Sequence, residues 1–153
     1  ALTAEITPPV SGAPDELLAA AAPYRGRVEA LNVTDGPRGM VHMSSLAASA
    51  ILAANGIEPI LQMTCRDRNR IAMQADLLGA SALGIRNILA VTGDPVSLSG
   101  EAGAKPRQES DLARFLFGFL HFRVGFCRFV RLRALETKHH EGTDGCMIRN
   151  VIR

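Results

Sequence analysis

The feature that most constrains the fold is a repeated alternation, over residues 1–106, between short apolar runs and stretches with helical character. Four apolar runs predict strands, at residues 1–7, 28–34, 58–64 and 85–91. Three stretches predict helices, at residues 14–22, 44–54 and 68–83. Strands that recur about every 30 residues with a helix between them are parallel, because each connection crosses the sheet. The sequence therefore predicts an α/β fold, which is either an open doubly wound sheet or a barrel.

Several classes of protein lose their support in the sequence. No GxGxxG follows the first predicted strand, and no P-loop is present. No run approaches the roughly 20 apolar residues of a membrane span, and no signal-peptide pattern opens the chain. The three cysteines, Cys65, Cys127 and Cys146, have no framework spacing. We therefore expect a reducing, cytoplasmic compartment and no membrane partner.

Local signals predict where the helices begin and end. Ser44 or Ser45 can cap the second helix, and Asp67 can cap the third, which Gly84 ends. The third helix also has apolar residues at the i, i+4, i+7 spacing of a helix face, at Ile71, Ala75, Leu78 and Ala82.

The chain changes character near residue 107. Residues 1–106 have 8 Lys and Arg against 10 Asp and Glu (net −2), whereas residues 107–153 have 9 against 5 (net +4) and contain all six phenylalanines. Within this second part we predict a helix at residues 110–120 and a strand at 122–130. Interleaved Phe and Arg suit nucleic acid or an anionic membrane, but a degenerate end has the same bias, so we expect neither partner. Its Cys and His residues match no usual zinc spacing, so no metal site is predicted; they are Cys127, His139, His140 and Cys146.

Polar residues recur at the C-terminal end of each predicted strand. They are Glu5 on the first strand, Asn32 and Thr34 on the second, Gln62 and Thr64 on the third, and Thr92, Gly93 and Asp94 after the fourth. In a β/α barrel that end is the mouth of the active site. Partial desolvation there would raise the pKa of Glu5 and make it a candidate general acid; the alternative is a solvated or ion-paired glutamate.

Three other features have two interpretations each. The turn at residues 93–95 either presents Asp94 or is only a turn. The cluster RDRNR at residues 66–70 is either a solvated helix start or an anion site. Cys65 and His42 are interpreted as structural rather than catalytic.

Four strings at residues 4–9 (AEITPP), 32–37 (NVTDGP), 62–69 (QMTCRDRN) and 92–95 (TGDP) together resemble the methylenetetrahydrofolate reductase family. The resemblance covers about residues 1–106. It implies a (β/α)8 TIM-barrel type of fold, here about the first four to five βα units. It also implies that FAD binds at the strand ends and that NADH or NADPH serves as reductant. The implied substrate is 5,10-methylenetetrahydrofolate, which is reduced to 5-methyltetrahydrofolate.

The resemblance also implies roles for individual residues. Glu5 matches the general acid of the family, and Asp94 matches its carboxylate near the flavin and the folate. The positions that match cofactor contacts are Thr34, Asp35, Gln62, Thr92, Gly93 and Asp94. Two positions depart from the family, since many members have His at Gln62 and Arg at Thr92.

The length departs as well, because a family barrel needs about 250 residues and the chain has 153. We therefore expect the N-terminal half of a barrel in residues 1–106. A divergent end, a truncation or a reading-frame change would each account for residues 107–153. We expect a homo-oligomer, and the alternative function is a non-catalytic half-barrel that self-associates or needs a partner chain, since an open strand edge invites pairing.

Overall fold

The computed structural model describes residues 2–98 and the backbone of residues 131–134. These described residues form five strands: β1 (Thr3–Ile6), β2 (Ala30–Val33), β3 (Pro59–Thr64), β4 (Asn87–Val91) and β5 (Arg131–Ala134). Three α-helices connect the first four strands: α1 (Pro14–Ala21), α2 (Ser45–Ala54) and α3 (Arg70–Ala82). All seven elements predicted within residues 1–91 are confirmed. In this described part of the chain, no helix is long and apolar enough to cross a membrane.

The strands form one parallel sheet in the order β1-β2-β3-β4-β5. A doubly wound sheet reverses its strand order at a switch point, whereas these strands follow one another without reversal. Helix α1 contacts α2, and α2 contacts α3, so the helices form one layer on one side of the sheet. The predicted α/β class is confirmed, and the sequential order is that of a segment of a β/α barrel.

The fifth strand lies where the sequence predicted no element. Strand β5 pairs with β4 in the register Asn87 to Arg131. The helix predicted at residues 110–120 and the strand predicted at 122–130 lie outside the described residues. A short Arg-rich stretch lacks the apolar run that predicts a strand, but the backbone groups of a parallel neighbour can still pair with it.

Capping signals agree with the structure at one helix and differ at another. The Ser44 hydroxyl accepts a hydrogen bond from the Ala47 N–H (3.2 Å), which confirms Ser44 as a cap of α2. The predicted cap of α3, Asp67, is wrong: the side chain of Asn69 accepts from the Ala72 N–H instead (2.9 Å). Helix α3 begins at Arg70, so the cap position falls on Asn69, and the Asp67 carboxylate accepts a hydrogen bond from Arg66 instead.

The core lies between the sheet and the helix layer. Alternate strand residues pack against the helices in two clusters of buried side chains, one including Ile6, Leu31, Val33, Leu17 and Leu52, and the other Leu61, Met63, Ile88, Met73 and Leu77. On α3 the predicted apolar face is not the buried one. Ile71 is 78 % exposed and Leu78 is 50 % exposed, whereas Leu77 is fully buried. The helix has a second apolar stripe on its opposite side, and packing against the sheet selects that stripe.

Candidate active site

The face of the sheet opposite the helices presents the polar side chains. Ala4 and Ile6 of β1 pack towards the helix layer, so Glu5 between them points the other way. The same alternation places Asn32 of β2 and Gln62 of β3 on the face of Glu5. The predicted polar face is therefore present on the first three strands.

Glu5 is bound by two amides from the neighbouring strands. Asn32 Nδ2 donates to Glu5 Oε2 at 3.0 Å, and Gln62 Nε2 donates to the same oxygen at 3.3 Å. Burial raises the pKa of Glu5, and the two hydrogen bonds lower it less, so the pKa lies above its ordinary value. This is the direction that suits a general acid near neutral pH.

Thr34, a predicted flavin contact, joins two strand ends. Its side chain is buried, and its hydroxyl donates to the Thr7 hydroxyl at 3.2 Å. Its backbone N–H donates to the Ile6 carbonyl at 3.0 Å. The structure places this threonine beside the Glu5 strand, with its hydroxyl already hydrogen-bonded.

Asp35, another predicted cofactor contact, is buried and bound within the protein. One of its oxygens accepts from the Thr64 N–H (2.8 Å) and the Thr64 hydroxyl (3.0 Å). Both of its oxygens accept from the Arg68 guanidinium. Arg68 also donates to Asp76 on α3 at 3.1 Å. Burial alone lowers the pKa of Arg68, but the hydrogen bond and charge of Asp35 and the nearby carboxylates raise it overall, so the guanidinium stays charged.

The arginine cluster at residues 66–70 is a helix start whose charges are largely paired. Arg66 donates to the Gly36 carbonyl and to Asp67, both at 2.9 Å, and its side chain is only 9 % exposed. Burial raises the pKa of Asp67, but the hydrogen bond and charge of Arg66 and the charge of Arg68 outweigh that effect. The pKa of Asp67 therefore lies below its ordinary value. With Arg66 and Arg68 both bound to groups of the protein, the structure favours the helix-start interpretation over an anion site.

The residues after β4 contact the segments that follow β2 and β3. A Cβ at Gly93 would lie 3.1 Å from the Cβ atoms of Thr64 and Arg66, and the φ of Gly93 is +86°. Both facts favour glycine at this position. Asp94 Oδ2 accepts from the backbone N–H of Arg38 at 2.6 Å. Asp94 thus binds the turn after β2 rather than Glu5, while Thr92 is exposed.

Two residues interpreted as structural have structural surroundings. His42 Nδ1 forms a hydrogen bond with the Pro8 carbonyl at 2.8 Å, which joins the loop after β2 to the loop after β1. Cys65 is buried in the core beside α3. Within the described ranges, no cluster of His, Cys, Asp and Glu can hold a metal ion. The other candidate zinc ligands, Cys127, His139, His140 and Cys146, lie outside those ranges.

The structure thus brings two of the predicted residues, Glu5 and Gln62, into direct contact. Sequence reasoning missed Asn32 as the nearer partner of Glu5. The signal that identifies it is the strand register, which pairs Glu5 with Asn32. Sequence reasoning also missed Arg68 as the ion partner of Asp35, because no local pattern joins residues so far apart in the chain.

A parallel sheet whose strands follow the order of the chain, with the helices on one side, defines the class: an α/β protein. A sequence model of the family described as methylenetetrahydrofolate reductase matches residues 1–129. The chain therefore belongs to the methylenetetrahydrofolate reductase family, which is a family of oxidoreductases. The match continues past residue 106, beyond the last of the four motif strings. No curated protein sequence matches the chain.

Proposed function

We propose that the chain catalyses the reduction of 5,10-methylenetetrahydrofolate to 5-methyltetrahydrofolate, with NADH or NADPH as reductant and FAD as cofactor. The observation that carries the proposal is the environment of Glu5. Two amides hold this half-exposed carboxyl group near the C-terminal end of β1, and its pKa is raised. Family membership supplies the substrate class to which such an acid would apply.

The role of Glu5 in this proposal is to give a proton to the folate. Protonation of N10 breaks its bond to the bridging methylene carbon and opens the five-membered ring as an iminium on N5. Addition of a hydride to that carbon then gives the 5-methyl group. The carboxylate left on Glu5 remains hydrogen-bonded to Asn32 and Gln62, which stabilise its charge.

FAD would serve in this reaction as the carrier of a hydride from the nicotinamide to the folate. Among the predicted contacts, Thr92 is exposed and Gln62 is half-buried. Gly93 is also half-buried, and it has no side chain that would cover its backbone. These three fit a cofactor at the strand ends. Asp35 does not fit that role, because its carboxylate is buried and both of its oxygens are bound.

Asp94 has a separate role in the proposal. Its hydrogen bond to the Arg38 N–H fixes its orientation beside the strand ends. A fixed carboxylate there favours a cationic form of the substrate over a neutral one. The folate, the nicotinamide cofactor and a homo-oligomeric assembly are the partners that we propose.

Glu5→Gln tests the proton-transfer role. Glutamine keeps the size of the side chain but has no proton to give, so folate reduction should fall by roughly 10²- to 10⁴-fold. Reduction of bound FAD by NADH or NADPH, followed by its absorbance under anaerobic conditions, should keep the wild-type rate.

The two half-reactions separate this outcome from a general defect. Equal loss of both would contradict the role of Glu5 and indicate damage to the cofactor site. A wild-type chain that neither takes up FAD nor oxidises NADH or NADPH in the presence of the folate would contradict the proposed activity itself.

A second candidate function is a non-catalytic half-barrel that self-associates or needs a partner chain. The observation in its favour is that, among the described strands, β1 and β5 each pair on one side only. Unpaired strand edges offer backbone N–H and C=O groups to another chain.

The mass in solution tests this second candidate. Light scattering coupled to size exclusion should give a dimer or larger if the edges pair between copies, and β1 amides should then exchange slowly with solvent. A monomer with rapidly exchanging β1 amides would argue against self-association through this edge.

A further inference from the structure

Asn32 lies in the candidate site, but the resemblance assigns it no role. It is on β2, directly opposite Glu5 in the register of the sheet, and it is only 7 % exposed. Its Nδ2 donates to Glu5 Oε2 at 3.0 Å. Its Oδ1 is buried and accepts no hydrogen bond in the part of the chain that the structure describes.

That unpaired oxygen argues against a purely structural role for Asn32. Burying an amide carbonyl without a partner destabilises a protein, and an apolar side chain of the same size avoids this penalty. The neighbouring residues of β2, Leu31 and Val33, pack in the core under the helices, whereas Asn32 lies on the opposite face of the sheet beside Glu5. The interaction that accounts for an asparagine at position 32 is therefore the bond to Glu5 rather than the packing of the strand.

The arrangement of the two amides distinguishes the two oxygens of Glu5. Asn32 and Gln62 both donate to Oε2, whereas Oε1 forms no hydrogen bond with the described residues. An oxygen that accepts two N–H donors is a poor site for the acid proton, because the proton would compete with them for the lone pairs. The neutral form of Glu5 therefore has its proton on Oε1.

We propose that Asn32 is a positioning residue that, together with Gln62, occupies Oε2 of Glu5 and so makes Oε1 the oxygen that presents the proton to the substrate. This inference rests on the proposed function for its catalytic meaning, but the interaction itself can be measured without turnover. After the proton leaves, both amides already point at the carboxylate, so its charge is stabilised without reorganisation of the site.

The groups that act on Glu5 from the neighbouring strands are uncharged. The pKa of Glu5 is shifted by burial and by the amides of Asn32 and Gln62, and no charged side chain contributes among the described residues. Loss of the nearer amide destabilises the ionised form more than the neutral form, because a hydrogen bond to a charged oxygen is the stronger one. The pKa of Glu5 should therefore rise in a variant without that amide.

Asn32→Leu in the full chain is the test, with Ser49→Ala as the matched control. Ser49 is buried too, and its hydroxyl oxygen also has no hydrogen-bond partner among the described residues, but it lies on α2 in the helix layer. Titration of ¹³C-labelled glutamate carboxyl groups by NMR, assigned with Glu5→Gln, measures the pKa directly. Asn32→Leu should raise the pKa of Glu5 by about half a unit to one unit, whereas Ser49→Ala should leave it unchanged.

Stability and kinetics complete the test. Because the unpaired oxygen is removed, Asn32→Leu should unfold at the wild-type temperature or above it. The descending limb of the pH profile of kcat/KM should move to higher pH by the same amount as the titration. If Asn32→Leu does not fold, Asn32→Ser also removes the amide and should shift the titration in the same direction.

An unchanged Glu5 titration in the folded Asn32 variant would overturn the inference and assign the residue to the structure of the strand. A wild-type chain without folate reduction would instead overturn the proposed function. The titration would still decide whether Asn32 acts on Glu5.

Discussion

The environment of Glu5 suits proton donation but lowers the stability of the folded protein. Its carboxyl group is partly removed from water, and the two amides that it contacts offset only part of that effect on its pKa. An ionised group in such a place is less favourable in the folded protein than in the unfolded chain. The same environment that suits proton donation therefore opposes folding at neutral pH.

The pH dependence of stability should reveal this conflict in Glu5→Gln. Since the folded pKa of Glu5 lies above its ordinary value of 4.5, its contribution to stability is full below pH 4.5 and is lost as the pH rises through the folded pKa. Glutamine does not ionise, so the variant should be more stable than wild type at pH 7. The gain should be only a fraction of about 1 kcal/mol, because the side chain is half exposed and solvent screens it.

Urea unfolding at a series of pH values measures the difference between the two proteins. It should vanish near pH 3, where Glu5 is protonated in both states. A difference that is constant from pH 3 to pH 8 would contradict a raised pKa.

At this scale the sequence indicated the polar residues but not their partners. Alternation along β1 placed Glu5 on the polar face, and the structure agrees. That Asn32 rather than Thr34 contacts Glu5 depends on the offset between β1 and β2, which pairs residues 27 positions apart. Neither strand contains a local signal for that offset, so sequence reasoning could not assign the contact.

Helix α3 shows the same limit at the scale of an element. It has two apolar stripes with helical spacing, and the one that the sequence analysis identified faces away from the sheet. Met73, Leu77 and Ala80 are buried instead. Met73 and Leu77 share a core cluster with residues of β3 and β4, and this packing selects the stripe that faces the sheet. Periodicity alone does not distinguish one stripe from the other.

Two adjacent leucines on α3 provide a matched test of this rotation. Leu77 is fully buried and Leu78 is 50 % exposed. Leu77→Ala should lower the free energy of unfolding by about 2 to 5 kcal/mol, whereas Leu78→Ala should change it by less than about 0.5 kcal/mol. Chemical denaturation of both variants gives the comparison. Similar losses in both would mean that the exposed stripe is covered by something else in solution.

At the scale of the whole molecule, hydrogen bonds between loops join the ends of three strands. Asp35, after β2, binds Thr64 at the end of β3 and Arg68 in the loop that follows it. Asp94, after β4, accepts a hydrogen bond from the Arg38 N–H, in the turn after β2. Gly93 packs against Thr64. These contacts hold together the C-terminal ends of the strands, where the proposed cofactor would bind. The protein itself therefore organises that end of the sheet.

Removal of Arg68 should therefore lower the free energy of unfolding, because it loosens the joined C-terminal ends of these strands. Arg68→Met would leave Asp35 buried without its ion partner, and a buried pair broken in this way costs about 3 to 5 kcal/mol. Arg70→Met is the control, because Arg70 is exposed two residues away on the same helix start. It should change the free energy of unfolding by less than about 0.5 kcal/mol. Equal effects in a thermal or urea melt would contradict the importance of the Asp35–Arg68 pair.

The sequence by itself determined the order of strands and helices, the cap of α2 and the polar side chains at the strand ends. Those features depend on periodicity and turn chemistry within a few residues of chain. The tertiary structure alone decided which amide contacts Glu5, which stripe of α3 is buried and where Asp35 finds its counter-charge. Arg68 lies 33 residues from Asp35, and such pairs form only when strand register and helix packing bring distant segments together. Local sequence does not encode those distances, because they are properties of the packed sheet.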